Sequence, residues 1–385
     1  MSSVRLSLPA LPQSDSSLFV AQPPGQHLRL SVVIPAKDEA ENLPFALDAL
    51  RIQQQLTGEP MPYPQYEVLL LLNNCTDNSA AVAGQYQARY PAFPMRVAVV
   101  QLPPERANVG TARRMLMDVA QSRLQQTGQP TGVIASTDAD TVVDRHWMAH
   151  ILSEIDGGCD MVGGRILTRS DGRAVRLNYL RDCTYRMLIA RLEDQLDPLP
   201  HDPWPRHFQH FGANMAITCT AYEQIGGLPN VPHLEDEALY RALLRTDGRI
   251  RKSPLVRVVT STRTTGRAEI GFSEQLRYWE GINQLRQCQL VEPAGAIYRR
   301  LQSRRQLRLL WQNRAGGVLH SALAPVADAL LLDTDWLREH VMKATYFGQL
   351  WEQVENQLVT GTWADAWPPT PIETAIATLR LLLRS

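Results

Sequence analysis

Short, nearly continuous apolar runs alternate with longer amphipathic stretches through the first third of this chain, and that alternation limits the fold more than any other feature. Leu28–Pro35, Glu67–Leu72, Met95–Leu102 and Gly132–Ser136 are the apolar runs. Each is too short for a helix, and the first is rich in β-branched residues and closed by a proline, so they read as strands. Between them, Glu39–Gln55 and Thr111–Gln126 read as helices. A strand with no polar alternation is buried on both faces, which predicts a parallel sheet covered by helices on either side. In such a sheet ligands sit beyond the carboxyl ends of the strands.

Three of those strand ends are polar. The first run leads into Pro35–Ala36–Lys37–Asp38–Glu39, the second into Asn73–Asn74–Cys75–Thr76–Asp77–Asn78–Ser79, and the fourth into Thr137–Asp138–Ala139–Asp140. The topology brings all three to one edge. Asp138 and Asp140, two apart at a strand exit, are held close by local geometry. Such carboxylates suit Mg²⁺ or Mn²⁺, which take oxygen ligands and share phosphates. On its own the pair reads more simply as a solvated acidic turn. The buried strand before it and the neighbouring polar ends favour the metal reading.

Composition narrows the class. With 385 residues the chain is long enough for a full core and about two domains. Lys+Arg and Asp+Glu are both 39, which argues against nucleic acid as the partner. The five cysteines are scattered, with no Cys-x-x-Cys pair, which fits a reducing cytoplasm rather than a disulfide scaffold. No apolar leader and no membrane-spanning helix are expected. Gly58, Gly84 and Gly128 build neither a dinucleotide fingerprint nor a P-loop.

Several stretches together resemble family 2 glycosyltransferases. Val33–Ile34–Pro35–Ala36–Lys37–Asp38–Glu39–Ala40–Glu41–Asn42–Leu43 is similar to the family's opening motif, and Asn73–Ser79 to its second. Asp138–Ala139–Asp140 matches its DxD motif. Phe211–Gly212–Ala213–Asn214–Met215–Ala216 with Ile225–Gly226–Gly227 resembles the acceptor-side stretch, and Leu234–Glu235–Asp236–Glu237 the ED motif. The likeness covers residues 28 to about 265. It implies an α/β fold of the GT-A type: a Rossmann-like, mostly parallel sheet flanked by helices. The expected organisation is a weakly ordered tail over 1–27, a catalytic domain over 28–270 and a helical region over 271–385.

The resemblance also implies roles. Pro35, Ala36 and Glu39 would line the nucleoside pocket, Asn74 stands where a base-contacting aspartate is usual, and Arg113 would approach the base or diphosphate. Asp138 would face the ribose or a metal-bound water, and Asp140 would bind Mn²⁺ or Mg²⁺. Gly212, Asn214 and Trp204 fall on the acceptor side. Asp236, with Glu235 as the lesser candidate, would be the general base, since an acceptor hydroxyl attacks only once a carboxylate takes its proton. Departures are visible too. Asn73–Asn74 replaces two aspartates, Asp38 replaces an asparagine, and no histidine stands at the usual third metal position. Arg263 and Arg267 lie there instead, as diphosphate candidates.

The implied activity is transfer of a sugar from a nucleotide-diphosphate sugar to a hydroxyl of a glycan, lipid or small molecule, with inversion in a single in-line displacement. A nucleotidyltransferase of similar fold would carry a Gly-rich basic loop where Pro35–Glu39 is acidic and glycine-free. A non-catalytic nucleotide-sugar binder and a retaining variant stay open. His201, His207 and His210 read as a loop near the acceptor rather than a metal site. Arg299–Trp311 is basic and amphipathic, compatible with peripheral contact at the inner face of a membrane or with packing on the catalytic domain.

Overall fold

The computed structural model describes residues 18–19, 23–128, 131–168, 175–231, 233–261, 272–285, 287–316 and 320–384. The first half alternates as the apolar runs require: β1 (Leu30–Ala36), α1 (Leu43–Arg51), β2 (Tyr66–Asn73), α2 (Ser79–Arg89), β3 (Met95–Val100), α3 (Val109–Gln126), β4 (Val133–Thr137) and β5 (Thr141–Val143). Then come α4 (Trp147–Asp156), β6 (Met161–Thr168), α5 (Arg176–Leu196), β7 (Asn214–Thr218), α6 (Cys219–Gln224), α7 (Glu235–Arg245) and β8 (Ile250–Thr260). The eight strands form one sheet in the order β3-β2-β1-β4-β7-β6-β8-β5. The β3-β2-β1-β4 half is parallel. β7 enters antiparallel to both β4 and β6, so the sheet is mixed.

The expectation of strands buried on both faces holds residue by residue. In β1, Leu30, Val32, Ile34 and Ala36 join one core and Val33 the other. In β2, Val68, Leu70 and Leu72 face the first core and Leu69 and Leu71 the second. Period-2 side chains between two helical layers produce this split. The first helix is shorter than its sequence pattern. Residues 39–42 are taken up by a turn in which the Asn42 and Leu43 N–H groups both donate to the Glu39 carbonyl. Leu18 and Phe19, from the segment read as a tail, pack against the second core.

Beyond β8 the chain is mainly helical: α8 (Phe272–Leu285), β9 (Leu290–Val291), α9 (Ala294–Gln312), α10 (His320–Leu330), α11 (Thr334–Lys343), α12 (Phe347–Thr360), α13 (Trp363–Ala366), β10 (Thr370–Pro371) and α14 (Ile372–Leu382). α5 is the bridge between the two halves. Its Tyr185 and Leu192 share a core with Ile297 and Leu301 of α9 and Ile376 and Leu379 of α14. α12 docks on α7. Asp247 caps it by accepting from the Phe347 and Gly348 N–H groups, both at 2.7 Å. A Cβ on Gly348 would come 1.7 Å from the Leu244 carbonyl oxygen, so only glycine permits this approach.

The basic stretch of α9 is engaged with the rest of the chain. Arg304 binds Glu193 at 2.7 Å and Asp197 at 2.6 Å, and Arg308 binds Asp197 at 2.8 Å. Arg300 binds Glu292 at 2.9 Å. Among the described residues no helix is long and apolar enough to cross a membrane. The five cysteines carry free thiols.

Burial alone would push the Asp197 carboxyl up, but the two arginines outweigh it and hold the group below its ordinary value. A folded-state value below the unfolded one contributes stability that is complete above the unfolded value and is lost as pH falls through the folded one. Asp197→Asn should therefore cost about 3 kcal/mol near pH 7. In urea denaturation series the gap from the parent protein should narrow below about pH 4.

Candidate active site

The loops after β1 and β2 are tied to each other. Asp38 (φ +53°) and Asn74 (φ +50°) both adopt the left-handed conformation, which Asp and Asn tolerate better than other side chains with a Cβ. Asp38 Oδ1 accepts from the Thr76 and Asp77 N–H groups at 2.6 and 3.2 Å. In return, Asp77 Oδ2 accepts from the Ala40 N–H at 3.0 Å, and Ser79 Oγ from the Glu39 N–H at 2.9 Å. The Thr76 N–H is the main group holding the Asp38 carboxyl below its usual range. Asp38, Cys75 and Asp77 offer ligand atoms within 4.8 Å of one another. Their hydrogen bonds make them a latch between two strand-end loops.

The nucleoside-side candidates lie along this latch. Pro35 and Ala36 end β1 and are buried, and Glu39 is buried with its carboxylate accepting from Asn42 Nδ2 at 2.8 Å. Asn74 clasps the next loop with its whole amide. Its Nδ2 donates to the Leu102 carbonyl at 2.8 Å and its Oδ1 accepts from the Leu102 N–H at 3.0 Å.

One strand over, β4 delivers Asp138 and Asp140, both half-buried. Asp140 Oδ2 accepts from Ser261 Oγ at 2.6 Å, and its Oδ1 lies 3.4 Å from Thr141 Oγ1. Thr137 Oγ1, immediately before the pair, is buried with no hydrogen-bond partner. Carboxylates and hydroxyls are hard oxygen donors, so the residues here fit Mg²⁺ or Mn²⁺. Arg263 and Arg267 lie outside the described residues.

Arg113 joins this turn to the helix carrying the ED motif. Its side chain is 3% exposed. Nη2 donates to Asp138 at 2.8 Å, Nε to Glu235 at 3.0 Å, and Nη1 to both Ser136 Oγ and the Gly212 carbonyl. Burial pushes the Asp138 carboxyl up, opposed by Arg113 and reinforced by Asp140. Gly212 then passes the link on, since its N–H donates to Asp236 Oδ2 at 2.8 Å. Asp236 sits in the first turn of α7, where a carboxylate suits the exposed N–H groups and the helix dipole. The preceding Leu234 is left-handed (φ +56°), a conformation costing a side chain with a Cβ about 1–2 kcal/mol. Backbone strain of this kind clusters at functional sites.

Asn214, at the start of β7, is fully buried. Its Oδ1 accepts from Trp147 Nε1 at 2.8 Å, and its Nδ2 donates to the carbonyls of Arg165 and Val256, both at 3.1 Å. It fastens α4, the bulge in β6 and β8 together. Gly164 makes room for it, because a Cβ there would lie 2.2 Å from Nδ2. Trp204 is 43% exposed, with the Arg191 guanidinium 5.7 Å from its ring centre. Among the described residues the three histidines form no metal group. His207 is buried between Ser253 and Gln209, and burial takes its ring down to about 3. His210 instead bonds Glu237 at 2.6 Å and stacks on Tyr240 at 3.8 Å.

Sequence reasoning missed Ser136, Ser261 and the His210–Glu237 pair. Ser136 had a signal. It occupies the strand position that faces α3, on which Arg113 interrupts an apolar stripe of Ala112, Leu116 and Met117. Ser261 and His210 reach the site only through tertiary pairing of β8 with β5 and of the 207–212 loop with α7.

The sequence profile described as Glycosyl transferase family 2 matches residues 31–217, which hold the loops after β1 and β2, Asp138, Asp140, Arg113 and Asn214. Glycosyltransferase AglE of Haloferax volcanii is 28% identical over 138 residues, or 36% of this chain, and the match spans 39% of that relative's length. Two solved structures cover more at lower identity. TarS 1-349 of S. aureus in complex with UDP-GlcNAc is 15% identical, covering 87% of this chain and 92% of that one with a TM-score of 0.44. Mannosyltransferase PcManGT from Pyrobaculum calidifontis, in complex with GDP-Man and Mn2+, is 15% identical, covering 94% and 88% with a TM-score of 0.43.

Asn214→Ala would strand an indole N–H and two carbonyls in the sheet. It should lower stability by about 3 kcal/mol, read as a shifted denaturation midpoint with unchanged slope.

Proposed function

We propose that this chain, whose residues 31–217 carry a family-2-like glycosyltransferase fold of the GT-A type, moves a sugar from a nucleotide-diphosphate sugar to an acceptor hydroxyl with inversion at the anomeric carbon. The observation that supports it best is the pairing of two acidic stations at one sheet edge. Asp138 and Asp140 follow β4, Asp236 lies in the first turn of α7, and Arg113 and Gly212 link Asp138 to Asp236 through hydrogen bonds.

In this reading the latched loops after β1 and β2, with Pro35, Ala36, Glu39 and Asn74, take the nucleoside. Arg263 and Arg267 are the candidates for its diphosphate. A divalent cation would be held by Asp140 with Asp138 beside it, and would neutralise charge on the leaving diphosphate. Asp236 takes the proton from the acceptor hydroxyl. Its Oδ2 is oriented by the Gly212 N–H and its Oδ1 by the N–H of Glu237, and each oxygen keeps a further lone pair for the incoming hydroxyl. A positioned base on the face opposite the leaving group gives inversion without a sugar–enzyme intermediate. Gly212, Asn214 and Trp204 shape the acceptor side, with the exposed Trp204 ring available to stack on a sugar or apolar acceptor. The free thiols suit a reducing compartment, hence the cytoplasm.

The deciding assay is turnover of UDP-, GDP- and dTDP-sugars with Mn²⁺, with Mg²⁺ and with chelator. Asp140→Ala should abolish metal-dependent turnover. Asp236→Asn should reduce transfer by about 10²- to 10⁴-fold while the donor still binds. Failure of every nucleotide sugar to bind would overturn the reading. A donor that binds but is never turned over, with or without acceptor sugars, would mark a binding protein instead.

A further inference from the structure

We propose that Arg113 is a positioning residue that couples the Asp138–Asp140 turn to the Asp236 helix, so that binding on the donor side and geometry on the acceptor side are not independent. The inference rests on the functional reading above, which assigns those two stations.

The geometry leaves the guanidinium little other work. Four N–H donations go to protein groups, on β4, on α7 and on the loop before β7, and the side chain is 3% exposed. A planar fork with donors at fixed angles holds several acceptors at once, which a lysine ammonium does not. Gly212 is packed against it. A Cβ there would lie 2.8 Å from Arg113 Cζ, so the loop has no slack over the guanidinium. Because Gly212 accepts from Arg113 and donates to Asp236, a shift of the guanidinium reaches the base through one residue.

The arrangement also fixes a sign. Glu235 and Asp138 share one cation at 3.0 and 2.8 Å. A divalent ion held at the Asp138–Asp140 turn would compete with Arg113 for Asp138. Neutralising Glu235 leaves Arg113 facing Asp138 alone, so the ion and the nucleotide it carries should bind more weakly, although Glu235 lies on a different element. A residue that only fills space would transmit no such effect.

A double-mutant cycle tests this with full-length protein. Calorimetry would measure binding of Mn²⁺–UDP and Mn²⁺–GDP to the wild type, Glu235→Gln, Arg113→Gln and the double variant, with melting temperatures confirming that each folds. Glu235→Gln should weaken Mn²⁺–nucleotide binding by about fivefold or more in the wild-type background and by less than about twofold in the Arg113→Gln background. If Arg113→Gln does not fold, Arg113→Lys serves as the second background, and the effect should shrink because the fork is lost. Equal effects in both backgrounds, or none in the wild type, would overturn the coupling while leaving the transferase reading intact. If the wild type binds neither nucleotide with Mn²⁺, nor dTDP with Mn²⁺, the transferase reading fails first and takes the coupling with it.

Discussion

A single guanidinium in the interior organises this end of the sheet. Burying an unpaired cation is prohibitive, so Arg113 has to be matched, and it draws its partners from three separate parts of the chain. β4 and the turn after it supply Ser136 and Asp138, α7 supplies Glu235, and the loop before β7 supplies the Gly212 carbonyl. Each of those segments carries a candidate site residue within two positions. The need to satisfy one buried charge thus ties the Asp138 turn to the start of α7 and to the Gly212 loop.

The same logic extends outward. α7 is held at its amino end by Arg113 and at its carboxyl end by α12, through the Asp247 cap, the Gly348 approach and the two-point ion pair of Arg245 with Glu352. Behind α5, Arg206, Arg304 and Arg308 share Glu193, Asp197 and Asp202, so the C-terminal helices and the eight-stranded half meet across paired charges as well as apolar contact. The helical region is therefore part of what fixes the carboxylates. Its own apolar core around Leu323, Val341 and Leu350 gives that support rigidity.

The parallel half of the sheet was legible because strands buried on both faces cannot hide their apolar runs, and the acidic pair was legible because it stands at a strand exit. β7 was not read as a strand. Its core residues Met215, Ala216 and Ile217 make a short run, and its place between β4 and β6 is a matter of topology. The pairing of Arg113 with Glu235 spans 122 residues, and no local pattern encodes it. The left-handed Asp38 and Asn74 were visible as departures from the family motif, yet their reciprocal latch depends on two loops meeting across neighbouring strands. The basic face of α9 shows the limit from the other side. Its composition allows a membrane surface or an internal partner equally, and only the positions of Glu193 and Asp197 show where Arg304 and Arg308 are engaged.

Charge balance at the sheet edge gives the buried Arg113 its place among the carboxylates. Of the carboxylates Asp138, Asp140, Glu235 and Asp236, Arg113 bonds directly to Asp138 and Glu235. Without Arg113, Asp138 and Asp140 would repel across one residue and the turn would open. As built, Asp138 is partly compensated by Arg113, and Asp140 accepts from the Ser261 hydroxyl. Asp236 is oriented by backbone N–H groups, which direct a carboxylate without neutralising it outright. Compensation of Asp138 inside and backbone dipoles on Asp236 are electrostatic conditions that suit the proposed metal-assisted transfer to a hydroxyl.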